Sequence, residues 1–276
     1  MEQLITELRN KLSDSSIELP LLPEVAQKVI AMTSDENCNA AQLSNIIHKD
    51  QALAGNVLRI TNSASYAGNC KIVSLQQAVS RLGLNLLREI TLAASVQNSV
   101  FNVPGKASIV SHLWSHSLAS SAYAKEVAKF RRKNVESAYL CGLLHSIGKP
   151  VLLKYLIETA KGMNISLSDE QILEILDQEH HGIGIRMAKE WELPDQVAMT
   201  IKYFESFDDA ENFEDEVMTI CLAHMCADEL LLPEKISSEE ISGHDVIDAL
   251  NLYPEDVENI LNKREKVQEL INSMRQ

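Results

Sequence analysis

Histidine and carboxylate side chains hold divalent cations and move protons near neutral pH, and here they are unevenly spread: seven of the eight histidines follow Pro104-Gly105. His112 and His116 stand four apart, as do His224 and Asp228, so each pair falls on one face of a helix. For His112 and His116 that spacing suits two ligands of one ion, but no third ligand is placed by sequence for that pair, so His112 reads as an exposed or supporting residue. For His224 and Asp228 it suits a hydrogen bond that orients or neutralises the carboxylate. His180 and His181 are adjacent, about 100° apart around a helix, too far to share one ion. Taken singly, each of these rings also reads as a core histidine with one polar tip satisfied.

The elements that must position these residues are helices. Gly and Pro number 10 and 7 in 276 residues, where average usage gives roughly 19 and 14. Hydrophobic residues make up 45% and charged ones 23%, which fits long helices and excludes disorder. Asn39/Gln42, Ser74/Gln77, Ser168/Gln171 and Ser237/Glu240 are capping-box pairs, and Asp50 opens a further helix. No window alternates with a period of two, so the reading is all-α with about a dozen helices. An apolar helix over about Leu84–Phe101 stops at Val103-Pro104-Gly105, dividing the chain into helical subdomains at 1–105 and 106–276. In the second, Ile109, Leu113, His116, Ser120, Tyr123 and Val127 form one stripe. Ala138, Cys141, Gly142 and His145 form a small-residue stripe that another helix can approach closely. Its helix is expected to start at Asn134 and close at Gly148, with Pro150 beyond.

Charge narrows the partners. Lys plus Arg is 25 and Asp plus Glu 39, a net charge of −14, which opposes a general grip on nucleic acid or anionic lipid. The one basic run, Lys129 to Lys133, reads as an exposed joint between helices. The acids Glu205, Asp208, Asp209, Glu211, Glu214, Asp215 and Glu216 read as a solvated loop. Residues 107–124 carry no charge but hold six serines and two histidines, and the first ten residues make no secretory signal. Five cysteines without a C-x-x-C pair fit a reducing compartment. The expected location is cytoplasmic, with no membrane. From Pro254, the residues Val257, Ile260, Val267, Ile271 and Met274 form a short apolar seam for the chain's own domain, with a homodimer contact as the alternative.

The segment L-L-H-S-I-G-K, Leu143 to Lys149, resembles the L-L-H-D-I-G-K signature of the HD superfamily of metal-dependent phosphohydrolases. L-W-S-H-S at 113–117 resembles the helix that gives the first metal histidine, here His116. H-H-G-I-G with W-E-L-P, His180 to Pro194, is similar to the H-x-x-x-G plus W-x-L-P element, and A-H-M-C-A-D-E-L at 223–230 to the helix that gives the last ligand, here Asp228. L-P-L-L-P-E-V at 19–25, I-I-H-K-D-Q-A-L-A at 46–54, N-S-A-S-Y at 62–66 and A-V-S-R-L-G at 78–83 resemble the HDOD domain, the HD-related output domain. The resemblance implies an all-helical fold with an HDOD portion followed by a degenerate HD-like one, in a bacterial signalling context.

Two departures bear on chemistry. The family's metal aspartate is Ser146 here, and Phe204 and Glu205 stand where many relatives have a histidine pair. Hard divalent cations want oxygen ligands, and metal-activated water needs the charge. No resident cofactor is therefore expected; any divalent metal would be weakly held, by His116, His145 and Asp228. The vestigial pocket comprises His116, His145, Ser146, His180 and Asp228, and no catalytic residue is assigned. Lys149 reads as a favourable charge at a helix C-terminus. The expected function is a non-enzymatic signalling output module, acting as a stand-alone unit through an unidentified signalling protein or small ligand. The alternative is a metal-dependent phosphohydrolase or cyclic-dinucleotide phosphodiesterase with a reduced site, in which His180 and Lys149 would face phosphate.

Overall fold

A helix leaves its first N–H groups unpaired, and short polar side chains just ahead of it can accept them. Asn39, Asp50, Ser74, Asn134, Ser168 and Ser237 each accept from the backbone N–H three residues on. The reciprocal bond is made by Gln42, Gln171 and Glu240. Gln77 instead accepts from the N–H of Val73.

The computed structural model describes residues 2–13, 17–33, 39–63, 65–66 and 71–275. Cys38 and Cys70 lie outside the described residues; Cys141, Cys221 and Cys226 are buried free thiols. Among the described residues six helices precede Pro104: α1 (Glu2–Ser13), α2 (Glu24–Thr33), α3 (Ala40–His48), α4 (Gln51–Thr61), α5 (Leu75–Leu82) and α6 (Leu84–Val100). Then follow α7 (Ala107–Phe130), α8 (Val135–Leu144), α9 (Gly148–Gly162), α10 (Asp169–Glu179), α11 (His181–Glu190), α12 (Asp195–Tyr203) and α13 (Glu214–Leu231). The chain closes with α14 (Ser238–Ser242), α15 (Asp245–Ala249), α16 (Pro254–Leu261) and α17 (Arg264–Arg275). No strand occurs among the described residues, so the fold is all-α.

Helix α7 is the hub: α8, α13, α16 and α17 pack on it, and its whole predicted stripe from Ile109 to Val127 is buried. Helix α8 comes so close that a Cβ on Gly142 would lie 2.7 Å from the Ser121 Cα, which is the use of the small-residue stripe. The first helix is fastened to the later half of the chain. It packs on α9, and Arg9 Nε donates to Glu179 at 2.9 Å. One contiguous apolar core runs from Leu4 to Met274.

The helix started by Asn134 ends at Leu144, not at Gly148. Gly148 and Pro150 instead open α9. Proline is harmless there because its missing N–H belongs to the first turn, where no partner is available. The sequence stretch 135–162 is apolar enough to cross a membrane by length and composition, but most of it is buried inside the fold, and the turn at 145–147 divides it. The C-terminal seam is split between two helices, with Val257, Ile260, Val267, Ile271 and Met274 all buried in the chain's own core.

The N-S-A-S-Y segment is held by Asn62. Its Nδ2 donates to the carbonyls of Leu58 and Ile72, both at 2.8 Å, and its Oδ1 accepts from the N–H of Ile72 at 2.8 Å. Ser65 Oγ then donates to the carbonyl of Glu269 in α17 at 2.7 Å. Asn62→Ala is expected to cost about 2 kcal/mol, since it strands backbone groups that the amide satisfied. Urea unfolding checks this, and an unchanged midpoint would show that water replaces the amide freely.

Candidate functional site

Five elements converge on one buried polar cluster. Helix α7 supplies His112 and His116, and the turn after α8 supplies His145 and Ser146. Lys149 lies in the first turn of α9, His224 and Asp228 lie on α13, and Lys235 projects from the turn that follows. Ring nitrogens of His116, His145 and His224 lie within 4.8 Å of one another. His145 is fully buried, and Ser146 is only 3% exposed.

The cluster is wired internally. His145 Nδ1 donates to the carbonyl of Gly142 at 2.8 Å, so Nε2 of the neutral ring is the acceptor, and His224 Nδ1 lies 3.3 Å from it. His116 Nε2 stands 3.0 Å from Asp228 Oδ1, an ion-pair distance without good hydrogen-bond alignment. Lys235 Nζ reaches Asp228 Oδ2 at 2.8 Å, with His224 Nε2 at 3.6 Å from the same oxygen. Ser146 Oγ faces Ser117 Oγ at 3.4 Å.

Burial sets the charge states. It pushes His145 and His224 well below the ordinary imidazole range, with the charge of His116 acting in the same direction. His112 is pushed down to about 4, again mainly by burial. Burial pushes the Asp228 carboxyl up, but contact with His116 and the charges of His116, His224 and Lys235 outweigh it and hold the group well below the usual carboxylate range. The result is a carboxylate near two neutral buried rings, His145 and His224.

His180 is brought near but not into the cluster. It sits at the α10–α11 junction, stacks on His181 with ring centroids 4.1 Å apart, and has no hydrogen-bond partner on either nitrogen. Burial, then the charge of Lys149, pushes it well below the imidazole range. Phe204 fills the space between: its ring is 6.1 Å from His180, 5.0 Å from His145 and 4.8 Å from His224. Glu205 points to His181 at 3.5 Å. Two of the loop acids are tied down, since Asp215 also pairs with Arg131 and Lys133.

Lys149 is misplaced by the sequence reading. It opens α9 rather than closing α8, and its buried ammonium donates to Asp177 at 2.6 Å. Lys235 and Asp177 were not anticipated at all; they come from a turn and a helix with no histidine of their own. His224, read only as a partner for Asp228, is the third ring of the cluster.

Do these residues fit the metal centre of an HD hydrolase? The nitrogen donors converge, but the oxygen donors fail. Position 146 offers a neutral hydroxyl, and both oxygens of Asp228 already face cationic or donor groups. The cavity beside His116, Ser146 and Asp228 measures about 40 Å³, room for roughly one or two waters. The donor set as it stands does not fit. A much larger cleft, about 750 Å³, opens elsewhere between Tyr66, Leu86 and Glu89 on one side and Lys125, Tyr139 and Leu270 on the other.

Residues 19–207 match the HDOD domain family. An HDOD domain protein with unknown function from Geobacter sulfurreducens shares the fold at a TM-score of 0.74 and 22% identity, covering 99% of this chain and 97% of that chain. A candidate metal-dependent phosphohydrolase from Shewanella amazonensis SB2B does so at 0.73 and 20%, covering 99% and 98%. A candidate signal transduction protein from Marinobacter aquaeolei VT8 gives 0.69 and 20%, over 100% of this chain and 66% of that one. Among curated proteins, an uncharacterized protein of Treponema pallidum is 24% identical over 232 residues, 80% of this chain. The chain spans less than half of that relative's length, 44%.

Proposed function

The chain belongs to the HDOD domain family, and from that premise we propose that it is a non-enzymatic module of bacterial signal transduction. It acts in the cytoplasm by binding a signalling protein or a small ligand. The observation that carries this reading is the 40 Å³ pocket at His116, Ser146 and Asp228. In it both lysines are already paired to acids, and the position beside His145 has no carboxylate to help activate water. A phosphate ester has neither room there nor a metal-ready carboxylate to meet. The cleft of about 750 Å³ has the dimensions of a ligand site and draws its walls from both halves of the chain.

The three converging imidazoles favour the alternative, a metal-dependent phosphohydrolase or cyclic-dinucleotide phosphodiesterase with a reduced site. One assay separates the two. The purified chain is incubated with cyclic dinucleotides and with nucleotides in the presence of Mg²⁺, Mn²⁺, Fe²⁺ or Ni²⁺, beside the His145→Ala variant. The expected result is turnover no higher than the variant's with every metal. Metal-dependent hydrolysis that disappears in His145→Ala overturns the proposal.

A further inference from the structure

We propose that Lys235 is a built-in counter-ion: its ammonium takes the electrostatic place of a metal ion at Asp228 and keeps the three-histidine cluster free of metal. The inference rests on the reading that the pocket is not a hydrolase centre, and it adds what excludes the metal.

A buried carboxylate needs a cation or strong donors. Asp228 is only 9% exposed, and the cation that reaches it is Lys235, at 2.8 Å from Oδ2. Lys149 is spent on Asp177, at 2.6 Å. Around this pocket the two acids, Asp177 and Asp228, are matched by two lysines, so the count of formal charges is zero. A divalent ion would enter against both ammoniums. Without Lys235 the same pocket carries one net negative charge, and Asp228 keeps only His116 Nε2 at 3.0 Å and His224 Nε2 at 3.6 Å, next to the converging nitrogens of His116, His145 and His224. Three imidazoles and one carboxylate form a donor set suited to a first-row transition metal.

The position of Lys235 makes it separable from the fold. It lies on a turn after α13, where its N–H donates to the carbonyl of Leu232, and its side chain is 47% exposed. Helix packing does not depend on its side chain, and because a neutral replacement withdraws a cation from buried Asp228, the metal-free melting temperature of each variant is measured first to show that it is folded.

The test uses Co²⁺ alone, titrated into wild type, Lys235→Gln and Lys235→Met, with visible absorption and thermal melting as readouts. A second substitution, His116→Ala in the Lys235→Gln background, checks that the ion sits in this cluster. Two unit charges a few ångströms apart at a protein interface with water are worth at least two decades of affinity, so Co²⁺ should bind either Lys235 variant roughly 100-fold tighter than wild type. The variants should gain melting temperature with Co²⁺ and wild type should not. His116→Ala should abolish both gains. Equal Co²⁺ affinity in wild type and both variants, whether tight or immeasurably weak, overturns the proposal. So does a gain that survives His116→Ala. Wild type that binds Co²⁺ as tightly as the variants without hydrolysing any phosphate ester sinks the counter-ion and leaves the non-enzymatic reading standing.

Discussion

Gly148→Ala is expected to destabilise the chain by about 3 kcal/mol or more, a large share of the stability of an ordinary domain. At this position the sequence pattern S-I-G-K meets the α10–α11 corner. A Cβ there would lie 2.3 Å from the carbonyl oxygen of His180, 2.8 Å from the nitrogen of Gly184 and 3.2 Å from the carbonyl carbon of His180. All three are backbone atoms, and the oxygen is already the acceptor for the first turn of α11, bonding Gly184 N at 3.0 Å. No rotamer change relieves the overlap, so α9 must move away from α11. That shift would pull the Ser146–Lys149 turn and His180 apart together. The melting temperature should fall by roughly 10 °C. Gly55, inside α4, is the control of opposite sign, because a Cβ there meets nothing within 4 Å. Gly55→Ala should stabilise by about 1 kcal/mol through helix propensity alone. Equal melting of Gly148→Ala and wild type would show that the corner yields at no cost.

That glycine also marks the boundary of what the sequence could reveal. Capping pairs such as Asn39/Gln42 and Ser168/Gln171 were legible because a cap is local chemistry between residues three apart. The stripe from Ile109 to Val127 was legible for the same reason, since one helix face is set by spacing alone. Gly148 and Pro150 were misread as a helix stop. Both are helix punctuation in isolation, and only the packing of α9 on α11 shows that the glycine serves close approach and the proline a first turn. The meeting of His116, His145 and Asp228 was legible through an ordered set of motifs rather than from spacing within any one helix. Lys235, Asp177 and the third ring, His224, were not, because a long side chain arriving from a turn leaves no periodic trace. Phe204 was visible as a departure from the family pattern, but its place between His145, His180 and His224 is a fact of tertiary packing.

The same packing predicts that the chain loses stability steeply in mild acid. His145, His180 and His224 have folded-state values well below the ordinary 6.5, each mainly because burial penalises the imidazolium. The unfolded chain therefore binds protons at these rings near pH 6.5, while the folded chain does not until much lower pH. More protons on the unfolded state means that stability rises with pH. The contribution of the three rings is fully present above about pH 7 and drains away as pH falls below 6.5. The limiting slope is about 1.4 kcal/mol per pH unit per ring, approaching about 4 kcal/mol per unit for the three together. His112, pushed down to about 4, acts in the same direction. Glu205, raised chiefly by burial, opposes it as pH rises above its unfolded value of 4.5. Asp228, held low, contributes stability that is lost only below its unfolded value near 3.8, outside this window. Urea midpoints measured from pH 8 to pH 5 should be flat above 7 and then fall. His180 is the cleanest ring to remove, since neither of its nitrogens has a partner to strand. His180→Gln should flatten the slope between pH 6 and 5 by one ring's share, while leaving the sign unchanged. A midpoint that stays constant from pH 7 to 5 in wild type would mean that these rings are protonated in the folded chain, and the neutral wiring of His145 and His224 would fall with it.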